Sequence, residues 1–176
     1  SAVAQGYRAI AIVLMHGYRY PAHEAALEAA AREIGFTQVS ASHRVSALMK
    51  FVARGDTTVV DAYLSPILRR YVDQVARELP GTRVLFMQSS GGLTDAHVFQ
   101  GKDAILSGPA GGIVGMARTA ALAFGQASGS GGHGVKVIGF DMGGTSTDVS
   151  HYAGEFEREF ETQVAGVRMR APMMSI

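Results

Sequence analysis

The sequence contains no cysteine in its 176 residues. Disulfides and thiolate metal sites are therefore excluded, and a cytoplasmic location fits without being required. Long apolar runs are also missing. "AIAIVLM" near the start falls well short of the roughly 18 residues a membrane span needs, and it lacks the basic flank and small-residue cleavage site of a signal peptide. Charge of one sign is not in excess. Lys plus Arg number 16 against 15 Asp plus Glu, a net charge of +1, so composition gives no case for nucleic acid or an acidic membrane surface. What is present is apolar content of 47% with 18% charged residues, which reads as a soluble globular chain with a core. The chain begins at Ser1 and stops at "APMMSI" without an evident terminal element, so it is expected to be a piece of something longer.

Apolar runs alternate with helical patterns, the signature of βα units on a largely parallel sheet. "RAIAIVLM" (8–15) reads as a buried strand. "PAHEAALEAAAREIGF" follows as a helix, with Pro21 in a permitted first-turn position and Gly35 as its stop. "TQVSAS" (37–42) reads as a short strand and "RVSALMKFVAR" (44–54) as a short helix. From Thr57 to Leu79 apolar positions recur every three or four residues, which predicts a long amphipathic helix. Pro66 inside it is expected to kink or split it. "RVLFMQ" (83–88) is a third strand, and "SGPAGG" (107–112) leads into a helix from about 113 to 124. "GQASGSGGHG" (125–134) reads as an exposed, flexible linker. Its glycines Gly129, Gly131 and Gly134 match G-x-G-x-x-G, but they follow a helix and precede a strand, the reverse of a dinucleotide loop. Beyond the linker, "VKVIGFDM", "TSTDVSHYA" and "FEREFETQV" read as three consecutive antiparallel strands.

"GFDMGGTSTDVS" carries the chemistry. Gly143-Gly144 suits a two-residue hairpin turn that needs positive φ. In that register Asp141 faces Ser146 and Gly139 faces Asp148. The period of two places Asp141, Ser146 and Asp148 on one face, with Ile138, Phe140, Met142, Thr145, Thr147 and Val149 on the other. A longer loop would change the pairing. Glycines let backbone amides approach an anion closely, and the Ser and Thr hydroxyls can donate to phosphate oxygens. A carboxylate beside phosphate would repel it, so its sensible task is to hold Mg²⁺, directly or through water. A surface hairpin with ordinary turn residues is the plainer alternative.

"DMGGTSTDVS" resembles the phosphate hairpin of the actin, sugar kinase and heat-shock ATPase superfamily. "HGYRYPAHE" (16–24), "AYLSPILRRYVD" (62–73), "MQSSGGL" (87–93), "AILSGPAGGIVG" (104–115) and "AGEFEREFETQVAGVRMRAPM" (153–173) extend the resemblance to the hydantoinase A and 5-oxoprolinase family, in that family's order and over nearly the whole chain. "AGEFER" and "AGVRMRAPM" resemble the 5-oxoprolinase branch in particular. The resemblance implies an α/β, ribonuclease-H-like fragment of an actin-like ATPase: parallel βα units over 1–126 from the first lobe, a linker over 127–134, and the opening antiparallel meander of the second lobe over 135–176. It implies ATP and Mg²⁺ as cofactors and a small lactam as substrate, 5-oxoproline in the nearest branch, whose amide oxygen ATP phosphorylates before water opens the ring. Gly143, Gly144 and Thr145 would cradle phosphate, Ser146 and Thr147 would lie in the same site, Asp141 would meet hydrated Mg²⁺, and Asp148 would act beside it or brace the hairpin. A hydantoinase B-like domain or subunit is the implied partner, a homo-oligomer is left open, and nucleic acid and membrane are not expected. A hydantoinase or acetone-carboxylase-type subunit, or a non-catalytic nucleotide-binding scaffold, remain as alternatives, since fold does not fix function.

Other features are weaker. "SGPAGGIVG" looks like a phosphate loop at a helix N-terminus, yet it lacks the G-K-[ST] ending, and its glycines read rather as packing contacts. Ser89, Ser90, Gly91 and Gly92 follow a strand and are a possible cleft loop or a plain turn. His16, His23 and Glu24 do not form H-E-x-x-H, because Leu27 stands where the second histidine would be. A last expectation concerns folding: the 135–165 strands would pair with the open edge of the 8–15 or 83–88 strand, within one chain or between two chains as a swapped dimer, and bury Ile138, Phe140 and Val149.

Overall fold

The structure is a computed structural model and describes residues 2–124 and 136–176. The first unit is one right-sized βαβ crossover. Strand β1 (Ala9–Ile12) runs parallel to β2 (Gln38–Ala41), with Ala9 opposite Gln38 and Ile12 opposite Ala41. Helix α1 (Ala22–Ile34) joins them. Gly35 ends it with φ 108°, and the amides of Gly35 and Phe36 take the carbonyls of Arg32 and Ala31. Glycine suits that left-handed position because it has no Cβ to clash. Ile12, Ala31 and Val39 close the small core between helix and strands, with Ile10 and Phe36 against it.

A single helical turn, α2 (Ser42–Val45), follows β2 directly, and the long helix α3 (Phe51–Glu78) starts six residues later. The short helix expected over 44–54 is thus two elements with an irregular segment between. Pro66 lies inside α3 without splitting it. Proline costs a helix one donor, and here the flanking turns hold: Val72 packs with Ala96 and Phe99 on one side, and Val60 meets the Met169, Ala171 and Met173 cluster on another.

The parallel array expected from the sequence stops at two strands among the described residues. β3 (Leu85–Met87) folds back antiparallel onto β4 (Leu93–Asp95). "QSSGG" makes this possible, with Gly91 at φ 81° in the turn. A 3-10 turn (Gly101–Asp103) leads to α4 (Ser107–Phe124). The SGPAGG stretch is therefore the first turns of a helix rather than a loop before one. The linker reading at 125–134, glycine pattern included, lies outside the described residues.

Beyond it, β5 (Val137–Met142) and β6 (Thr147–Tyr152) form an antiparallel hairpin. The third meander strand expected over 156–164 is broken in two. β7 (Arg158–Glu159) pairs with β10 (Met173–Met174), while β8 (Thr162–Val164) pairs with β9 (Val167–Met169) across a turn at Ala165-Gly166. A bridge from Tyr152 to Phe156, the contact of their rings at 5.1 Å and the His151–Glu157 pair at 2.8 Å tie this segment to β6. The physical reason is burial. Met169, Ala171, Met173 and Met174 are among the most enclosed side chains, so the tail is drawn against α3 and α4 and takes β7 with it. The Met174 amide completes the anchor on the Ser89 carbonyl at 2.8 Å.

The β5–β6 hairpin makes no main-chain pairing with β1 or β3 among the described residues. Its contacts run to α4 instead. Ile138, Phe140 and Val149 stay 74%, 69% and 50% exposed, which corrects the expectation that they dock on an open sheet edge of the same chain. The face that docks is the other one, and it carries the carboxylates.

Candidate functional site

The hairpin loop is longer than the expected two residues. Residues 143–146 connect the strands, closed by the Gly143 N–H donating to the Ser146 carbonyl at 3.0 Å. The register moves accordingly: Asp141 stands opposite Asp148, Met142 opposite Thr147 and Gly139 opposite Ser150. Ser146 leaves the strand, and the two aspartates become direct cross-strand neighbours. Thr147 lies on the opposite face, with Phe140, Met142 and Val149.

The acidic face looks at the first half of α4. Pro109, Gly112, Ile113 and Met116 from the helix and Gly139, Asp141, Asp148 and Ser150 from the strands line a cleft of about 240 Å³. A Cβ at Gly139 would collide with Met116 Sδ and sit 2.7 Å from Ser150 Oγ, so any larger residue there has to displace both side chains. On the helix side a Cβ at Gly112 would stand 3.6 Å from Asp141 Oδ2, an ordinary contact. Helix and carboxylate are thus close without crowding.

Neither Asp141 nor Asp148 has a hydrogen bond or ion pair among the described residues. Like charges directly across a ladder are unfavourable. A divalent cation would relieve this, and Mg²⁺ characteristically takes one or two carboxylates while keeping water and phosphate oxygens for its other positions. The donor set fits that ion. The loop beside it is exposed at Gly143, Gly144, Thr145 and Ser146. The amides of Gly144 and Thr145 have no partner among the described residues, so they are open to an anion.

Other sequence candidates resolve as structure. Ser89 is fully buried. Its amide and hydroxyl both donate to the Asp103 carbonyl at 2.7 Å, and its hydroxyl accepts from the Leu106 amide. It ties the β3–β4 hairpin to the start of α4. His16 and His23 are exposed, and the described residues contain no group of three or more metal-ligating side chains.

Sequence reasoning missed a buried polar cluster between α1, α2 and the start of α3. Glu24 and Arg54 are each 0% exposed. Glu24 accepts from the Leu14 amide, the Ser42 hydroxyl, the His43 amide and the His43 ring. Burial pushes its carboxyl up, and the four hydrogen bonds together outweigh that, holding it below the ordinary glutamate value. Arg54 donates to Ser42 Oγ and to the carbonyls of Leu14, Met15, Leu48 and Met49. Next to it, Glu28 bridges Arg32 and Arg44. The usable signal was a helix whose buried stripe includes glutamates at 24 and 28, four apart.

The family model described as Hydantoinase/oxoprolinase matches residues 54–176. The chain belongs to the hydantoinase/oxoprolinase family. Over 98% of its length it is 45% identical to 5-oxoprolinase 1 of Arabidopsis thaliana and 43% identical to 5-oxoprolinase of Saccharomyces cerevisiae. It spans only 13% of each of those relatives. Among solved structures it resembles an ATP-dependent caprolactamase from Pseudomonas jessenii, with TM-score 0.77 and 30% identity over 98% of this chain and 25% of that one. A nucleotide-free acetone carboxylase structure shares the fold, with TM-score 0.78 at 22% identity, covering 98% and 24%. The sequence-based family assignment therefore holds for the segment before residue 54 as well, since these alignments run through it. No helix among the described residues is long and apolar enough to cross a membrane.

Proposed function

We propose that the chain is an internal part of an ATP-dependent cyclic-amide hydrolase of the 5-oxoprolinase type, and that it supplies half of the phosphate and Mg²⁺ site. The observation that carries this is the Asp141–Asp148 pair, unpartnered and facing the α4 cleft beside a loop with free amides, in a chain 45% identical to a relative named 5-oxoprolinase. The actin-like, two-lobed arrangement, with a second phosphate hairpin elsewhere in the parent, belongs to the same proposal. So do a hydantoinase B-like domain or subunit as partner and a cytoplasmic location.

In this reading the Gly144 and Thr145 amides hold terminal phosphate oxygens, with the Thr145 and Ser146 hydroxyls available to add donors. Asp141 and Asp148 would hold Mg²⁺, directly or through water, on the face of the hairpin turned to α4. The bound ion supplies charge neutralisation for the transferring phosphoryl group. The chain's own contribution is positioning: the four-residue loop and the aspartate pair are set by one hairpin register, so the amides and carboxylates are fixed relative to each other. Phosphorylation of the lactam oxygen then makes the ring carbon open to water.

The test uses the full-length parent and coupled ADP release with 5-oxoproline, hydantoin, caprolactam, or acetone with bicarbonate as the second substrate. 5-Oxoproline-dependent turnover is expected, and Asp141→Asn should lower kcat by about 10²-fold or more, the scale for losing one electrostatic contact to a reacting group, with an unchanged melting temperature. Turnover with another of these substrates moves the reading to that branch. Nucleotide binding with no turnover on any of them identifies a scaffold. The 176-residue chain alone is expected to show no lactam-dependent ATP hydrolysis, because it carries one phosphate hairpin.

A further inference from the structure

The carboxyl ends of parallel strands are where α/β sheets gather ligands, because the loops that follow adjacent strands converge there. In this chain those ends are Ile12 of β1 and Ala41 of β2. The segments that follow, 13–21 and 42–50, are locked together from beneath. Arg54 fastens both through its carbonyl contacts to Leu14, Met15, Leu48 and Met49, with the Tyr18 and Phe51 rings over its guanidinium at 5.4 and 5.8 Å. Gly17 lies so close that a Cβ there would collide with Glu24 Oε1.

His43 sits on top of this support. Its Nδ1 is 2.8 Å from Glu24 Oε2, and its side chain keeps 15% exposure above a carboxylate that has none. Glu24 is held anionic, so Nδ1 is the ring nitrogen that donates, and neutral His43 carries its lone pair on Nε2. That second nitrogen has no partner among the described residues, and it is not among the polar atoms sealed from solvent without a hydrogen bond. Glu24 does not depend on the ring for satisfaction, since the Ser42 hydroxyl at 2.6 Å and the Leu14 and His43 amides at 2.8 Å already serve it. An imidazole oriented by a buried carboxylate, with its other nitrogen open, is the arrangement of a general base.

We propose that His43 is the proton-transfer residue of lactam opening and that Glu24 is its positioning residue; this rests on the ring-opening reading above. As the oxygen of a water bonds the phosphorylated amide carbon, one water proton passes to Nε2 and the C=N electron pair withdraws to nitrogen. Nε2 hands that proton to the nitrogen. The second water proton follows the same route as the carbonyl re-forms and the C–N bond breaks. The step yields an acyl phosphate and a free amine, His43 ends neutral, and a second water hydrolyses the acyl phosphate.

The decisive variant is His43→Asn in the full-length parent. Asparagine places an amide donor near the Nδ1 position, so the tie to Glu24 survives while Nε2 is lost. The expected result is a fall in kcat for ring-opened product of about 10²- to 10⁴-fold, with KM for ATP and lactam changed little, a melting temperature near wild type, and partial restoration by added imidazole. Glu24→Gln should give a smaller loss that imidazole does not restore. Wild-type kcat in His43→Asn overturns the inference, and so does an unfolded His43→Asn, because the donor the fold needs is still present. If the wild-type parent turns over no lactam at all, the functional reading has failed and this inference falls with it; if the wild type does and His43→Asn matches it, only this inference falls.

Discussion

Glu24 and the Asp141–Asp148 pair are carboxylates in opposite circumstances. Glu24 is sealed and receives four hydrogen bonds. The aspartates face each other across a ladder, partly open to water and without partners among the described residues. A buried charge persists only when it is fully paired, so the Glu24 carboxylate is satisfied by the fold without any ligand. Two adjacent, unpaired anions on a hairpin are left for a partner outside the described residues, the cation of the proposal above. The contrast separates a carboxylate satisfied by the fold from a pair that is not, and hydrogen-bond satisfaction, rather than the mere presence of carboxylates, is what singles out the candidate Mg²⁺ site.

The largest break in this contrast comes at Arg54. Replacing it with Met keeps much of the volume but strips five acceptors of their donor. Removing one member of a buried charged network costs about 3–5 kcal/mol. In the parent, Arg54→Met should therefore deprotect the 13–17 and 46–50 amides to hydrogen exchange or abolish soluble expression. Protection equal to wild type would mean the cluster is not what fixes these segments. Substitutions on the exposed hairpin should not approach this effect.

Acid is the next probe. Glu24 and Glu28 both have folded values below the ordinary 4.5: burial opposes this in each, hydrogen bonds to Ser42, Leu14 and His43 overcome it at Glu24, and Arg32 with Arg44 overcomes it at Glu28. A depressed folded value means the unfolded chain binds more protons in acid. The stability these groups contribute is fully present above pH 4.5 and is lost as pH falls through the lower folded values. Thermal melts between neutral pH and acid should show this loss, and Glu24→Gln should flatten it while lowering stability at neutral pH. An unchanged acid slope in Glu24→Gln would assign the pH dependence to other carboxylates.

The same contrast explains what could be read from residues alone. Helix α1 was legible to its end because Gly35 is a local signal, and β1 and β2 were legible as short apolar runs. The acidic face of the hairpin was legible because the loop grew from two residues to four, an even change that keeps Asp141 and Asp148 on one face in either register. Which residue stands opposite Asp141 depended on the loop, and the Gly143–Ser146 hydrogen bond is a local choice that Gly143-Gly144 does not dictate. The broken third strand was illegible for another reason. "FEREFETQV" has strand character, but its partners are Met173 and Met169, and only three-dimensional packing shows that the methionines of the tail are buried. The Glu24 and Arg54 cluster was hidden likewise: Arg54 lies 30 positions from Glu24 in a segment read for its apolar spacing.

The smallest effect tests the cation reading without any turnover. If Asp141 and Asp148 repel across the ladder, Asp148→Asn should stabilise the β5–β6 hairpin in metal-free buffer, by about 0.2–1 kcal/mol or less given partial exposure. Hydrogen exchange of the 137–142 and 147–152 amides in the parent would read this as slower exchange than wild type with EDTA present. Adding Mg²⁺ should reverse the order, because wild type gains a ligand pair and Asp148→Asn loses half of it. The reversal is the informative part. A variant slower than wild type in both conditions would mean the pair is only a charge clash. A variant indistinguishable from wild type in both would mean that water already screens the two carboxylates and that the hairpin holds its ion, if any, through other groups.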